Sequence, residues 1–301
     1  MANKLDIFNP FHSVSQEDFI VSDYRKAVLE FTKNAKQNPL QYQLIILAAG
    51  KGSRMKIDYP KIMYELPYPG RKSSILDNML DGIRHLKTSV DISDTYLVVD
   101  RDSKHFFDRL KFEDDIEILT LNKSQIRGTA VCISAIKELL DPSKQVIILW
   151  GDLALWRTCD LNIVLKTHEA AESSLTFATR IKHQPYVAFL RSDKGQPFSV
   201  IHSNEVERYQ GTAEQDCLSF VCSHQSLSYI DELINLAPPF KEVDFIHYIP
   251  HLVSKGLKVL PIPIVETDTI FGLNTPKRAE EVSEFLSRYT SKEYSDFFLK
   301  T

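Results

Sequence analysis

The stretch LAAGKGSRM, Leu47 to Met55, directly follows the apolar run YQLII, Tyr42 to Ile46. A short continuous apolar run is typical of a strand that a parallel sheet buries on both faces. The chain leaves this strand through two alanines and two glycines, and glycine lets phosphate oxygens approach main-chain N–H groups closely. Lys51, Arg54 and Lys61 supply positive charge within and just after the loop. This combination indicates a loop that holds a polyphosphate at the end of a β-strand.

Two known glycine-loop motifs do not fit these letters. A P-loop requires G-x-x-x-x-G-K-[ST], which is absent, and a dinucleotide-binding fingerprint requires a third glycine where this chain has Met55. A simple tight turn would explain Gly50 and Gly52, but it would not explain the three cations nearby. The residues therefore favour phosphate binding over a purely structural turn.

Strand-like and helix-like segments alternate through the first half of the chain. Further apolar runs occupy residues 96–99, 116–121 and 145–150, and helical patterns cover about 73–86 and 129–140. Such alternation is typical of βαβ units. It predicts an α/β fold with a doubly wound, mixed but mainly parallel, Rossmann-like sheet.

After about residue 170 the pattern changes to short strand-like runs joined by turns. These runs are 175–179, 187–190, 198–202 and 217–222. They predict a smaller antiparallel extension beside the main sheet. Helices are predicted again over 244–255 and, after the N-cap and N1 pair Thr275-Pro276, as far as Tyr289.

Asp152 directly follows the predicted strand 145–150 and Gly151, so we expect it at the same sheet edge as the glycine loop. Mg²⁺ prefers oxygen ligands and is usually held by one or two protein groups together with substrate phosphates. An isolated aspartate at a strand end is more often a turn or cap residue. Its place beside a phosphate loop favours a metal ligand here.

Composition narrows the classes of partner. The net charge of −4 over 301 residues gives no general reason to expect nucleic acid or an anionic membrane. The four cysteines form no C-x-x-C pair, which is typical of buried free thiols in a reducing compartment. With no apolar run of membrane-span length and no signal-peptide pattern, we expect a cytoplasmic protein, monomeric or homo-oligomeric.

Several motifs together resemble one enzyme family. LAAGKGSRM with Asp58-Tyr-Pro-Lys61 resembles the signature of the sugar-1-phosphate nucleotidyltransferases, in particular the pyrophosphorylase domain of bacterial N-acetylglucosamine-1-phosphate uridylyltransferase. QIRGTA, Gln125 to Ala130, resembles the base-reading segment of that family. LWGD, Leu149 to Asp152, and FGLN, Phe271 to Asn274, resemble the segments that supply its two metal ligands.

The resemblance extends from about residue 43 to 290 and implies a role for each matching position. It implies nucleotide binding by Ala48, Ala49, Gly50, Lys51 and Gly52, with Gln125 and Gly128 facing the base. Arg54 would hold the leaving pyrophosphate, and Lys61 would bridge the nucleotide and acceptor phosphates, as the catalytic cations. Asp152 and Asn274 would ligate Mg²⁺. Tyr186 and His202 stand near the acceptor-binding positions of the family. Pro185-Tyr186-Val187 takes the place of its glycine-tyrosine-glycine turn, and His202 stands about where a sugar-binding glutamate would be.

The implied reaction transfers a nucleoside monophosphate from a nucleoside triphosphate, UTP as the first expectation, to a sugar 1-phosphate, with release of pyrophosphate. The altered acceptor motifs and the inserted Arg127 leave a second possibility open, a cytidylyltransferase acting on a phosphorylated alcohol or amine such as phosphocholine. A third possibility, of another class, is a nucleotide-sensing module that keeps the fold without the chemistry.

These patterns also suggest a division of the chain. Residues 1–40 would form an N-terminal helical extension, and 41–301 the nucleotidyltransferase domain. Within that domain, 41–165 would be the nucleotide-binding half and 166–301 the acceptor-binding half.

Asp244, His247 and His251 have a helical spacing that superficially suits a metal site. Pro250 lies between the histidines and disturbs that register, and Asp244 is also a suitable helix N-cap. We therefore favour structural roles for these residues, with contact of one of them to the acceptor as the alternative.

Overall fold

A computed structural model describes residues 6–12, 14–35, 40–50, 52–108, 110, 115–203, 206–207, 209–238, 241–266 and 271–300. The α-helices in these ranges are α1 Val21–Asn34, α2 Ile75–Lys87, α3 Lys104–Phe107, α4 Thr129–Ile136, α5 Thr158–Ala171, α6 Ile230–Leu236, α7 Tyr248–Ser254, α8 Pro276–Leu286 and α9 Ser291–Tyr294. The strands are β1 Tyr42–Leu47, β2 Glu65–Leu66, β3 Ser73–Ser74, β4 Ile92–Asp100, β5 Ile116–Leu121, β6 Gln145–Trp150, β7 Leu153–Leu155, β8 Leu175–His183, β9 Val187–Arg191, β10 Pro197–His202, β11 Thr212–Cys222, β12 Val259–Ile262 and β13 Phe271–Gly272.

The main sheet has the order β10-β9-β11-β6-β1-β4-β5. In addition, β8 pairs with β11, and β12 pairs with β8. The strands β6, β1, β4 and β5 run parallel to one another. The long strand β11 runs antiparallel to β6, β8 and β9, so it joins the parallel part to the antiparallel part. The predicted fold class, an α/β fold with a mixed, mainly parallel sheet and an antiparallel extension, is confirmed.

Helices cover both faces of the sheet, as the unbroken apolar run in β1 predicts. Leu44, Ile45 and Ile46 are all fully buried. Because successive side chains of a strand point to opposite faces, Leu44 and Ile46 belong to the apolar cluster under α2, α5 and α8, and Ile45 to the cluster under α4 and α7. This two-sided core fixes where the carboxyl end of β1 emerges.

Local capping interactions fix two helix starts that the sequence predicts. The Ser74 side chain accepts a hydrogen bond from the Asp77 N–H, and the Asp77 carboxylate accepts from the Ser74 N–H, which completes a capping box on α2. Thr275 caps α8 in the same way through the Arg278 N–H, with Pro276 in the first turn. Both starts agree with the prediction.

One predicted helix needs correction, and one observed helix was not predicted. The predicted helix over 244–255 is divided into a 3₁₀ turn, Phe245–His247, and the separate helix α7. Pro250 is the third residue of α7, where its missing N–H removes no intrahelical hydrogen bond. No helix was predicted at α5, because its residues are buried on nearly all sides and it therefore has no single apolar stripe.

The segment before β1 packs against α5, which covers one face of the main sheet. In α1, the Arg25 guanidinium pairs with Asp160 of α5 and donates a hydrogen bond to the Ile264 carbonyl oxygen at 3.1 Å. The Tyr24 hydroxyl donates to the Ile7 carbonyl oxygen at 2.7 Å, which holds the first described residues against α1. The boundaries proposed at residues 40 and 165 stay a prediction.

Among the helices of the described ranges, none combines the length and the apolar composition that crossing a membrane requires.

We expect Arg25→Ala to lower the free energy of unfolding by about 2–3 kcal/mol, because it leaves the carboxylate of Asp160, only 3% exposed, without its main counter-ion. Urea titration followed by circular dichroism measures this. Lys26→Ala removes an equal charge from the same helix at a side chain that is 74% exposed, and it should change stability little. Equal effects of the two variants would contradict the role of the buried pair.

Candidate active site

A cavity of about 580 Å³ opens at the carboxyl ends of β1 and β6. Its wall contains Ala48, Ala49 and Gly50 of the glycine loop, and Trp150 with Gly151 after β6. Ligands of open α/β sheets bind at this edge, because the strand ends leave a crevice there. The cavity is therefore where the sequence predicts a phosphate site.

Gly151 allows the ends of β1 and β6 to come close together. Its N–H donates a hydrogen bond to the Leu47 carbonyl oxygen at 2.8 Å. A Cβ atom at this position would lie 2.8 Å from that same oxygen and 3.0 Å from the Cβ of Ala48. Only glycine fits without moving one strand end, so Asp152 is carried directly beside the glycine loop.

Gly52 turns the loop back toward the cavity. Its φ of +61° lies in the left-handed region that favours glycine. The 3₁₀ turn Ser53–Met55 follows, and the buried side chain of Met55 anchors it in the core while Arg54 lines the cavity. Lys51, which the resemblance assigns to nucleotide binding, lies outside the described residues.

The four polar residues of the predicted reaction centre meet in this cavity. The Lys61 ammonium donates to Asp152 Oδ2 at 2.8 Å and to Asn274 Oδ1 at 3.0 Å. Arg54 donates to the same Asn274 oxygen at 3.3 Å. The side chains of Lys61 and Asp152 are 16% and 14% exposed, so their attraction is only partly screened by water. Two cations and two oxygen ligands thus form one cluster from distant parts of the chain.

A small two-stranded ladder holds Asp152 and Asn274 side by side. Gly272 of β13 pairs with Leu153 of β7. The Leu273 N–H donates to the Asp152 carbonyl oxygen at 2.7 Å, which continues the contact between the two segments. Since this ladder joins the two segments directly, the side-chain oxygens of Asp152 and Asn274 are positioned as a pair.

These two residues fit the requirements of a hard divalent cation. Asp152 Oδ1 is buried and has no hydrogen-bond partner among the described residues, so it is available as a ligand. Asn274 Oδ1 lies beside it and accepts hydrogen bonds from Lys61 and Arg54, so a cation bound to this oxygen would replace those donors. The described ranges contain no cluster of three or more His, Cys, Asp or Glu side chains around a metal position, so a cation here would need water or substrate phosphates to complete its shell.

A backbone clamp shapes the second wall of the cavity. The Val243 N–H donates to the Arg127 carbonyl oxygen at 2.8 Å, and the Ala130 N–H donates to the Val243 carbonyl oxygen at 3.0 Å. Gly128, with a φ of +101°, lies between them, and a Cβ there would come within 2.4 Å of the Val243 oxygen. Gly128 is therefore required for this clamp, and it also lines the cavity.

Cys132 lies in the same wall, on the first turns of α4. Burial, together with the negative charge of Asp244, raises the pKa of its thiol to about 12. The thiol is therefore protonated at neutral pH, and a protonated thiol is a poor nucleophile.

Three predicted site residues lie away from the cavity. The Gln125 side chain accepts a hydrogen bond from the Asn122 N–H at 2.9 Å and lines a separate, shallow depression. Tyr186 and His202 contact each other edge to face, with ring centroids 4.9 Å apart, on the β9–β10 hairpin. None of the three is among the residues that line the cavity.

The lining also contains residues, among them Trp150 and Glu242, that were not predicted as site residues. Trp150 packs on Phe220, with ring centroids 4.7 Å apart, and it also faces the cavity. Glu242 and Asp244 line the cavity as well, and Asp244 makes no side-chain cap hydrogen bond, contrary to its expected role as an N-cap. The sequence Glu242-Val243-Asp244, in which two acidic residues flank an apolar one, could have indicated that both carboxylates face the same side.

Comparison with known proteins gives sequence relatives that include proteins named Bifunctional protein GlmU. No family model matches the chain. The Bifunctional protein GlmU of Pelobacter propionicus is 25% identical over 255 residues, which cover 83% of this chain and 53% of that protein. The protein of the same name from Clostridioides difficile is 22% identical over 252 residues, covering 83% and 52%. The chain spans about half the length of these curated relatives.

Solved structures share the fold at lower identity. The inositol-1-phosphate CTP transferase from T. maritima has a TM-score of 0.61 at 15% identity, and the match covers 84% of this chain and 97% of that one. The CTP:phosphocholine cytidylyltransferase LicC from Streptococcus pneumoniae has a TM-score of 0.60 at 17% identity, covering 82% and 100%. The resemblance to the sugar-1-phosphate nucleotidyltransferases that the motifs indicated is confirmed: the relatives named GlmU match most of this chain in sequence, and the solved transferases share its fold.

Proposed function

We propose that this chain transfers a nucleoside monophosphate from a nucleoside triphosphate to a phosphorylated small molecule and releases pyrophosphate. The first expectation for the substrates is UTP with a sugar 1-phosphate. The observation that carries the proposal is the meeting of Arg54, Lys61, Asp152 and Asn274 around one cavity. The proposed role of the protein is to bring two anionic substrates together and to neutralise their charge.

The reaction is a single displacement at the α-phosphorus. An oxygen of the acceptor phosphate forms the new P–O bond, the bond from the α-phosphorus to the bridging oxygen of the β-phosphate breaks, and pyrophosphate leaves with the electron pair. The acceptor phosphate is already an anion, so no protein nucleophile is required. This agrees with a cavity whose one thiol among the described lining residues, Cys132, is held protonated.

Lys61 has the geometry to act between the two substrates. Its ammonium is a compact charge with three donors, and in the protein alone it is held by Asp152 and Asn274. Phosphate oxygens entering the cavity would replace one of these acceptors, which leaves the ammonium aligned by the other. Arg54, which lines the same cavity, would receive the departing pyrophosphate on its planar donor fork.

Mg²⁺ is proposed as the cofactor, with Asp152 and Asn274 as its protein ligands. When bound, it would withdraw negative charge from the phosphates. The unpartnered Asp152 Oδ1 supports this assignment. Lys61, hydrogen-bonded to both proposed ligands, keeps their oxygens directed toward one point and limits the electrostatic repulsion that a purely anionic site would impose on a triphosphate.

The placement of Tyr186 and His202 favours keeping a second candidate, a cytidylyltransferase acting on a phosphorylated alcohol or amine. These are the positions that the resemblance would use for a sugar, and they do not line the cavity. Two proteins of similar fold are also named for CTP-dependent transfer to inositol 1-phosphate and to phosphocholine.

Pyrophosphate release tests the proposal as a whole. ATP, CTP, GTP and UTP would each be combined with glucose 1-phosphate, N-acetylglucosamine 1-phosphate, inositol 1-phosphate and phosphocholine. Release with UTP and a sugar phosphate supports the first candidate, and release confined to CTP supports the second. Triphosphate binding without release from any pair would instead indicate a nucleotide-sensing module.

Lys61→Ala should lower kcat/KM for pyrophosphate release by about 10²–10³-fold, the usual cost of removing a donor that stabilises developing charge. The melting temperature is measured beside the rate, since Lys61 also neutralises Asp152 in the folded protein. Lys72→Ala is the matched control, because its side chain is 71% exposed and pairs only with Glu65 among the described residues. Turnover of Lys61→Ala near the rate of the control would contradict the proposed role.

Asp152→Asn should raise the Mg²⁺ concentration for half-maximal activity by at least about tenfold, because a neutral amide is a weaker ligand than a carboxylate. Calorimetric titration of Mn²⁺ in the presence of a non-hydrolysable triphosphate gives a readout independent of turnover. Asp108→Asn, at an exposed carboxylate that pairs with Lys104, serves as the control. An unchanged metal affinity in Asp152→Asn would exclude this carboxylate as a ligand.

Gly50→Ala should weaken triphosphate binding and leave the melting temperature unchanged. No protein atom lies within 4 Å of the position that a Cβ would take, so the fold tolerates the methyl group. Gly50 lines the cavity, and the methyl group would restrict the approach of phosphate to the backbone N–H groups of the loop. Isothermal calorimetry and thermal melting measure the two quantities, and unchanged affinity would place the triphosphate elsewhere.

A further inference from the structure

Two acidic side chains share the cavity with the cationic cluster. Glu242 and Asp244 lie in its lining, on the segment that precedes the 3₁₀ turn before α7. Neither forms an ion pair with Arg54 or Lys61, and neither carboxylate has a hydrogen-bond or ion-pair partner in the part of the chain that the structure describes. The cavity therefore has a cationic part and a separate anionic part.

The backbone clamp directs both carboxylates to the same side. Val243 donates through its N–H to the Arg127 carbonyl oxygen and accepts at its own carbonyl oxygen from the N–H of Ala130 in α4, and its side chain is only 4% exposed in the core. Asp244 has extended backbone angles, with φ −84° and ψ 145°. Because alternate side chains of an extended segment point to opposite sides, burial of Val243 turns Glu242 and Asp244 toward the cavity.

Such a pair is unsuited to phosphate. Carboxylates repel phosphate oxygens, and they accept hydrogen bonds without donating any. Groups that satisfy them are N–H or O–H hydrogen-bond donors or carry positive charge. Arg54 and Lys61 are the described cations of the lining and lie in the other cluster, so both carboxylates are free to accept from a bound substrate.

We propose that Glu242 and Asp244 bind an amino or ammonium group of one of the two substrates. This inference rests on the proposed function, and it names a feature that the substrate pair must contain. Two sources share the chemistry: the exocyclic amine of a nucleobase, as in cytosine, and a charged amine on the phosphorylated acceptor. A pair such as UTP with a neutral sugar phosphate offers neither group, because uracil presents a carbonyl oxygen where cytosine carries its amine, so the inference favours the second candidate function over the first.

Trp150 supports the same conclusion from a different interaction. Its ring is part of the cavity wall and is braced by Phe220 and Phe245, at centroid distances of 4.7 and 5.9 Å. An aromatic face attracts a cationic nitrogen, and it also stacks with a nucleobase. The ring therefore suits either source of the nitrogen, and it adds apolar contact that the carboxylates cannot give.

The test compares substrates that differ in this one group. CTP is compared with UTP, glucosamine 1-phosphate with glucose 1-phosphate, and phosphocholine with 3,3-dimethylbutyl phosphate, its uncharged isostere. Pyrophosphate release and calorimetric binding are both measured on the wild type, on Glu242→Gln with Asp244→Asn, and on Glu138→Gln. The last variant removes an acidic charge at a side chain that is 88% exposed and outside the cavity lining.

The wild type should prefer the nitrogen-bearing member of at least one pair by about 10–100-fold, the range expected for hydrogen bonds to a charged group. The double variant should lose this preference and keep its melting temperature, whereas Glu138→Gln should keep both. A preference confined to CTP identifies the base as the source, and one confined to the acceptor pairs identifies the acceptor.

Two results would overturn the inference. One is equal use of both members of every pair by the wild type, and the other is an unchanged preference in the double variant. If no combination releases pyrophosphate, the proposed function fails, and the binding data still decide the inference: weaker binding of the nitrogen-bearing ligand to the double variant supports it, and equal binding overturns it.

Discussion

The contact between the Lys61 ammonium and the side-chain oxygens of Asp152 and Asn274 is the interaction on which the site depends. It joins three segments from different parts of the fold: the 3₁₀ turn Lys61–Met63, the residues after the end of β6, and the residues after the end of β13. Each segment is fixed by its own backbone bonds, so the side chains meet without having to organise one another. Such preorganisation is what electrostatic catalysis requires, because little further rearrangement is then needed when charge develops.

The charges in the cavity are arranged so that a substrate has one favourable orientation. Phosphates are attracted to Arg54 and Lys61 and repelled by Glu242 and Asp244, which are held apart from those cations by the clamp at Val243. A net charge of −4 for the whole chain gives no sign of this local separation. Recognition by this fold is therefore a matter of where charges lie along one cavity, not of their sum.

The sequence predicted the parts of the fold that local physics determines. β5 and β6 were predicted with their observed bounds, and β1 was predicted from the apolar run over 42–46. β1 and β6 are buried on both faces, whereas β5 lies at the edge of the sheet and is only partly buried. The meeting of the glycine loop and Asp152 was expected because parallel strands end at one edge, whereas the place of Asn274 was expected only from the resemblance. By contrast, α5 is buried on most sides and lacks an amphipathic pattern that the sequence could show. The Gln125 side chain lies in a local turn, where its oxygen accepts a hydrogen bond from the Asn122 N–H. Glu242 was not predicted as a site residue, and Asp244 was predicted only as an alternative contact to the acceptor. The directions of these two side chains depend on the hydrogen bonds of Val243 to Arg127 and Ala130, which are more than a hundred residues away in the sequence.

One strand, β11, contacts both parts of the main sheet. Residues 219–222 pair with β6 on one side, and three of them also pair with β8 on the other. The pairing with β8 shifts its register between Asp216 and Phe220. Nearer the start of the strand, Glu214 pairs with β9. Detaching this strand would separate the parallel strands from the antiparallel ones and would remove neighbours from both at once. The two parts of the sheet are thus not independent folding units, and heating should melt them together in a single cooperative transition.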